Sequence, residues 1–251
     1  MQIKARPRRH YPHAPITEAV IAIGYELPNE VRLEDLLKVR DALKSDYPVR
    51  TEQFSVQFQL NVAERLGKSG PSELEGYRLA SSDGKRIVRV TLGDFAFSQL
   101  APYDRWETLH AEAERIWTIL ERILQPRRIT RVAVRFINRI DMPDPQGSGV
   151  DLDVYFHAAP KIPPELPQVM ATYFVRLELP FQTPDGILIL TLTAASPTSA
   201  GFVSALLDLD AVIQNVDMDA TRAWRAIEEL RDVKNAAFEA SITDAARELF
   251  K

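Results

Sequence analysis

The chain has 251 residues, 45% of them hydrophobic and 26% charged, a composition typical of a folded protein with enough apolar side chains for a sizeable core. Acidic residues outnumber basic ones by 35 to 31, and the net charge of -4 does not favour binding of polyanions, so a nucleic-acid site would have to be a local patch. The absence of cysteine excludes disulfides, thiolate nucleophiles and cysteine-bound metals, and it fits a reducing compartment.

Residues 1–15 form a basic N-terminal tail that contains Arg6, Arg8 and Arg9. The residues after these arginines are polar and proline-rich rather than apolar, so the tail does not have the pattern of a secretory signal. The longest apolar stretch, Ile187–Ala195, is far shorter than the roughly 20 residues that a membrane span needs. The sequence therefore predicts a cytoplasmic protein that does not enter a membrane.

The first half of the chain, residues 16–126, has the pattern of an α+β unit. Apolar residues at helical spacing predict a helix at 31–43 and a closing helix between Pro102 and Pro126. A glycine-rich loop is predicted at 67–71. Alternation of apolar and polar residues predicts strands at 16–27, 52–62, 75–80, 86–92 and 95–100.

The second half, residues 127–251, follows a similar order. Residues 147–167 are predicted to form a long irregular connection, because they show little helical periodicity. Asp219 is placed to cap a closing helix, and Thr243 to cap a short last one. Strands are predicted at 129–140, 169–181, 187–195 and 202–213.

The two halves suggest an internal duplication. Trp106 and Trp224 open the two closing helices at similar distances from the first strand of each half. The order strand, helix, antiparallel strands, helix, given twice, predicts one continuous α+β domain with a pseudo-twofold curved sheet and helices on one face. In this it resembles the fold of the TATA-box-binding protein, a likeness that carries no function with it.

A stripe of arginines is the least ordinary feature of the middle strand. Arg131, Arg135 and Arg139 are four residues apart, so their side chains share one face of the sheet. Guanidinium groups so placed could hold phosphates or carboxylates. The alternative is intramolecular pairing, for which Glu18 in the matching strand of the first half is one predicted partner, while Glu178 lies two residues from Arg176.

Other polar residues have structural interpretations beside functional ones. Asn138 interrupts the apolar side of the middle strand, and a buried amide there is expected to cap a neighbouring loop rather than contact a ligand. Asp208 and Asp210 share one face of a strand, which favours an exposed face over a pair of acid-base groups. The sequence shows no motif for catalysis or metal binding, and it predicts no cofactor.

Three segments of the chain resemble a sporadically distributed bacterial protein family of about this length. They are Ala14–Val20 near the start, Arg135–Ile140 in the middle strand and Ala237–Asp244 near the end, so the resemblance spans essentially the whole chain. The family has no established activity, cofactor or catalytic residues, and the resemblance implies none here. It does imply a bacterial cytoplasmic protein of accessory character.

The leading hypothesis for function is a non-enzymatic binding or protein-interaction module, which could be a homodimer. It holds a macromolecular partner on the polar face of the sheet or in the groove between the halves. The hypothesis rests on the uncharged polar side chains that the second predicted strand presents on one face, namely Gln53, Ser55, Gln57, Gln59 and Asn61.

Two alternatives use the arginine stripe. In one, the stripe and the basic tail bind nucleic acid, with an affinity that falls steeply as salt rises. In the other, the protein is an enzyme acting on an anionic small molecule between the halves, with Arg135 and Arg139 as a clamp and Glu18 or Glu178 as acid or base.

Overall fold

A computed structural model of the protein describes residues 9, 11–61, 66–182 and 184–251, with the backbone alone at 55–61 and 66–73. The predicted α+β class is confirmed: the chain forms a curved, open, antiparallel sheet of nine strands with helices packed on one side. Arg6 and Arg8 of the predicted tail lie outside the described residues. So do the side chains of most of the predicted polar face, Ser55, Gln57, Gln59 and Asn61.

The first half contains five strands, a short helix and a long closing helix. A single 3-10 turn at Leu33–Asp35 leads into the short helix. In chain order the elements are β1 (Ile16–Glu26), α1 (Leu36–Leu43), β2 (Val49–Asn61), β3 (Leu66–Ala80), β4 (Arg86–Thr91), β5 (Asp94–Leu100) and α2 (Trp106–Leu124).

The second half contains four strands and two helices. Where the first half has α1, this half has only a 3-10 turn at Leu152–Val154 in the irregular connection. The elements are β6 (Arg128–Pro143), β7 (Phe174–Gln182), β8 (Asp185–Ala195), β9 (Phe202–Met218), α3 (Ala220–Ser241) and α4 (Asp244–Glu248). Asp219 and Thr243 cap α3 and α4 as predicted, because their side chains accept hydrogen bonds from the backbone N–H groups of Arg222 and Ala246.

The predicted loop at 67–71 is wrong, because β3 already begins at Leu66. Gly67 pairs with Leu60, and Ser69 pairs with Phe58, in a long antiparallel hairpin with β2. Pairing of the backbone N–H and C=O groups along that hairpin outweighs the weak strand preference of glycine, serine and proline.

The strand order is β2-β3-β4-β5-β1-β6-β9-β8-β7, so the first strands of the two halves are neighbours at the centre of the sheet. On the side covered by α2 and α3, β1 and β6 present fully buried apolar residues. Trp117 of α2 packs there against Tyr25 and Phe95, with ring centroids 5.8 and 5.9 Å away. This side holds the main core, and the other side of the sheet is open.

Gly76 allows β3 and β4 to approach closely. A Cβ atom at this position would lie 2.1 Å from the carbonyl oxygen of Val90, a backbone atom that is held in the sheet. We expect Gly76→Ala to lower the free energy of unfolding by about 2 kcal/mol or more, because the strands must separate or shift register. Urea unfolding of the variant measures this loss. Gly93→Ala is the matched control, since its nearest heavy atom would be 3.9 Å away; an equal loss in both variants would contradict the explanation.

Candidate functional site

The arginine stripe lies on the open face of the sheet, where each guanidinium group meets a carboxylate. Arg135 donates to Asp208 with Nε–Oδ1 and Nη2–Oδ2 distances of 2.9 and 2.5 Å. Arg131 lies within 4.0 Å of both Asp94 and Asp210. The stripe is therefore neutralised along much of its length by acidic residues on the neighbouring strands.

Arg139 completes the stripe and is also occupied. Its Nε lies 3.1 Å from Asp141, and its Nη2 donates to the hydroxyl oxygen of Ser204 at 2.9 Å. The intramolecular pairing that the sequence offered as an alternative is thus present, but aspartates rather than Glu18 are the partners. Register alone does not decide this, because Glu18 on β1 and Asp208 on β9 both lie opposite Ile137 of β6. The Arg135 side chain reaches the β9 side and bonds Asp208 there. Glu178 does pair with Arg176, at 2.8 Å.

Burial affects the acidic members of this network. Desolvation raises the pKa of Asp94 and of Asp210 above the usual range, and the nearby arginines only partly offset it. Oδ1 of Asp210 is buried without a hydrogen-bond partner among the described residues. The open face is thus a mixed-charge surface with no cluster of free cations on its central strands.

A cavity of about 690 Å³ lies on the opposite, helix-covered side of the sheet. Its walls are the segment that enters β1, the residues before and at the start of α2, and the middle of α3. Two residues of β6, Phe136 and Asn138, form part of the lining. The alternation of side chains along β6 separates this cavity from the arginine stripe, because even-numbered residues point to one face and odd-numbered residues to the other. None of Glu18, Arg131, Arg135, Arg139 and Glu178 lines the cavity.

Lys234 of α3 is the most unusual residue in the cavity wall. Only 7% of its surface is exposed, and its Nζ lies 3.5 Å from the centroid of the Phe136 ring. Burial, reinforced by repulsion from Arg231, lowers its pKa to about 7. Within the described part of the chain, its ammonium group makes no hydrogen bond or ion pair, and attraction from Asp232 offsets only part of the effect of burial on its pKa. A buried cation in this state is costly unless something pairs with it.

Asn138 is buried in the floor of the cavity and does not cap a loop as the sequence suggested. Its Nδ2 donates to the carbonyl oxygens of Leu207 and Phe136, at 3.0 and 3.3 Å. Two carbonyl partners fix Nδ2 toward the backbone, which leaves Oδ1 as an acceptor.

Aromatic side chains give the cavity an apolar body. The Tyr103 ring stands edge-on to Phe136 at 5.4 Å, and the guanidinium of Arg231 lies over the Trp106 ring at 5.0 Å. Arg231 is also paired with Glu107 at 3.4 Å, whereas Lys234 makes no ion pair with any described residue. Burial raises the pKa of the Tyr103 phenol, which stays neutral at physiological pH.

The chain before β1 closes one side of the cavity and is tied to α3. The Tyr11 hydroxyl donates to Oε1 of Glu239 at 2.7 Å. The other carboxylate oxygen of Glu239 accepts from Nε of Arg247 at 3.0 Å. The Tyr11 ring also packs edge-on against Phe250, with centroids 5.6 Å apart. This wall therefore depends on a buried Tyr11–Glu239–Arg247 network.

Sequence reasoning missed Lys234, although the helix pattern contained the signal. The buried stripe of α3 runs through Ala223, Ile227, Leu230 and Ala237, and position 234 continues that spacing. A lysine within an apolar stripe usually packs its methylene groups on the apolar surface and extends its ammonium to solvent. If the ammonium is buried instead, a functional role is one explanation. Here it is buried against Phe136.

Other kinds of site receive no support from the described residues. No group of three or more His, Asp or Glu side chains in that part of the chain could hold a metal ion. None of the helices described is both long and apolar enough to cross a membrane. No family model matches the chain, and no curated protein matches it.

Proposed function

We propose that the protein is a binding module for an organic anion, which it holds in the cavity between α2 and α3 with Lys234 as the anchor. The observation that carries this proposal is the buried ammonium group without an acidic partner, beside a cavity of about 690 Å³. A ligand carboxylate or phosphate would supply the missing counter-charge. Phe136, Tyr103 and Trp106 would contact the apolar part of the same ligand.

The energetics favour recognition of charge at this position. A charge-assisted hydrogen bond is stronger in a desolvated site than in water. Because folding has already removed the Lys234 ammonium from water, a ligand does not have to desolvate it on binding. Oδ1 of Asn138 offers a second polar contact, which suits a hydroxyl or amide donor on the ligand. The cavity is thus suited to an amphipathic anion and not to a simple inorganic ion.

The segments that resemble the bacterial family support the same site. Each of the three contributes residues to the cavity wall: Pro15 and Ile16 from the first, Phe136 and Asn138 from the second, and Glu239 from the third. Segments that are far apart in the chain therefore converge on one place. A shared binding function of the family would explain this convergence.

The duplication belongs to the proposal as well. Strands β1 and β6 each pair with the last strand of their own half, β5 and β9, and the order then continues as β4-β3 and β8-β7. The mirror order supports two halves of common origin and a pseudo-twofold arrangement like that of the TATA-box-binding protein. The cavity would then lie near the axis, where the closing helices α2 and α3 approach each other.

Binding of phenylalkanoates tests the function. We expect 4-phenylbutyrate to bind at pH 7 in isothermal titration calorimetry and to raise the melting temperature, whereas 4-phenylbutyramide, with the same body and no charge, does neither. Lys234→Met should weaken carboxylate binding by about ten- to a hundredfold, the range expected for loss of a hydrogen bond to a charged group. Affinity should also fall by up to tenfold for each pH unit above about 7, as Lys234 loses its proton.

Lys85→Met is the matched control, since Lys85 is exposed in the turn before β4. This variant should bind the carboxylate like the original protein. Equal affinity for acid and amide, or an unchanged affinity in Lys234→Met, would rule out the proposed role of Lys234.

A further inference from the structure

Strand β7 is an edge of the sheet, and its side chains are unusually exposed for a strand. It is the last strand in the sheet order, and among the described residues it pairs with β8 alone. Phe174, Leu177 and Leu179 are 69%, 39% and 43% exposed. Natural edge strands that stay unpaired are usually short, strongly charged or covered, because an open row of backbone groups invites another strand.

Every second residue of β7 has backbone N–H and C=O groups that point away from β8 and could pair with a further strand. The carbonyl of Tyr173 accepts a hydrogen bond from the N–H of Ala194 in the β8 direction, and the register continues without a bulge. In an antiparallel ladder, the next residue and every second one after it must point the other way. Phe174, Arg176 and Glu178 therefore direct their N–H and C=O groups to the free edge.

The sequence of β7 is complementary to itself about Leu177. If two copies of β7 run antiparallel with Leu177 opposite Leu177, Arg176 of each copy lies opposite Glu178 of the other. This register also places Val175 opposite Leu179, and Phe174 opposite Pro180. The outward backbone groups of residues 176 and 178 then form hydrogen-bonded pairs. Cross-strand pairs of opposite charge and of apolar side chains both stabilise a sheet.

We propose that two copies of the protein pair through β7 and join their sheets into one continuous sheet with twofold symmetry. The apolar members of β7 that point to the helix side, Leu177 and Leu179, lie beside the buried residues Leu190 and Leu188 of β8. Pairing would cover these exposed leucines against the second copy. Pro180 lies at an outward position and lacks an N–H group, so it ends the ladder without interrupting its centre.

Engineered cysteines give a direct test, because the chain contains no cysteine of its own. In the proposed register, residue 177 forms a non-hydrogen-bonded pair with its copy, with Cα atoms about 4.5 Å apart, a distance that a disulfide spans. Leu177→Cys should therefore form a disulfide-linked dimer under mild oxidation. Leu179→Cys is the matched control, since its exposure is similar but its copy lies four residues along the strand, beyond the reach of a disulfide.

Charge exchange provides a second, independent readout. Arg176→Glu and Glu178→Arg each place like charges opposite one another twice in the dimer, so each should weaken dimerisation at least tenfold in sedimentation equilibrium. The double variant Arg176→Glu/Glu178→Arg restores opposite charges and should regain most of the affinity. Arg225→Glu, on the exposed side of α3, controls for net charge.

The two readouts overturn the proposal in distinct ways. A protein that sediments as a monomer at about 100 μM, or that crosslinks equally at positions 177 and 179, does not pair in this register. A dimer that is unaffected by both single charge changes forms through another surface. Either result leaves anion binding in the cavity untouched, because β7 contributes none of its lining.

Discussion

Replacing Lys234 with methionine should raise the free energy of unfolding at pH 7, by at most about 4 kcal/mol. Methionine has a similar length and no charge, so the variant keeps the packing against Phe136 and removes the cost of a buried, unpaired ammonium. This upper limit follows from a pKa lowered from 10.5 to about 7, at about 1.4 kcal/mol for each pH unit. Loss of the cation–π contact between the ammonium and the Phe136 ring reduces the gain. Urea unfolding of the two proteins at matched pH measures the difference.

The sign of the pH dependence makes this test specific. Between pH 7 and pH 10.5, Lys234 is largely neutral in the folded protein but protonated in the unfolded chain, so the unfolded state binds more protons. The stability contributed by this group therefore rises with pH across that window. The advantage of Lys234→Met should shrink by about 1.4 kcal/mol for each pH unit above 7 and be nearly absent by pH 10.5.

An exposed lysine serves as the control. Lys85→Met should change stability little and show no such slope, because Lys85 lies in a solvent-exposed turn. If Lys234→Met is less stable than the original protein at pH 7, the ammonium already has a stabilising partner. The cavity then does not lack a counter-charge for Lys234. A gain in stability with a loss of binding is the pattern expected when a residue is retained for function.

Glu239→Met should lower the free energy of unfolding by about 3 kcal/mol. The change removes the acceptor of the Tyr11 hydroxyl and the buried carboxylate beside Arg247, whose guanidinium keeps its pair with the exposed Asp244 at 2.7 Å. Losing one member of a buried ion pair is costly because the remaining charge stays desolvated. The wall formed by the segment before β1 should also loosen, which amide hydrogen exchange of residues 11–16 would report.

A double replacement separates the pair from its surroundings. Glu239→Met/Arg247→Met removes both charges and should recover most of the lost stability, since apolar side chains of similar volume can replace a buried pair at little cost. The double variant should still leave Tyr11 without its acceptor, and hydrogen exchange at 11–16 should remain fast. If the single and double variants are equally unstable, the ion pair is not the source of the effect.

The sequence predicted the elements of this fold better than their polar contacts. Alternation of apolar and polar residues predicted the bounds of β1 and β6 to within a few residues. The helix caps at Asp219 and Thr243 were confirmed. Both signals depend on residues that are neighbours in the chain. The long β2–β3 hairpin overrode the local preference of residues 67–71. Gly67 and Ser69 pair with Leu60 and Phe58 of the preceding strand, and the turn preference of residues 67–71 carries no information on that pairing.

The polar contacts depended on side-chain conformation as well as on strand order. Asp208 on β9 and Glu18 on β1 lie opposite the same residue of β6, Ile137, and spacing along one strand could not show that Arg135 bonds Asp208. Of the predicted site residues, Asn138 and Arg9 of the basic tail line the cavity, whereas Glu18 and the three stripe arginines do not. The sequence shows that Lys234 interrupts the apolar stripe of α3. Its contact with Phe136 could not be predicted, because that contact depends on how α3 packs on the sheet.

Strand β6 contributes residues both to the charged open face and to the cavity on the other side of the sheet. This limits the sequence changes that the strand tolerates. A substitution at Arg135 touches only the charged face, and one at Phe136 only the cavity. An inserted or deleted residue within 131–140, by contrast, would exchange the two sets, placing guanidinium groups beneath α3 and the Phe136 ring in water. This strand therefore cannot change in length without losing one face or the other. The connection at 144–173 has no alternating pattern to lose, although the buried Phe156 ties it to Ile242.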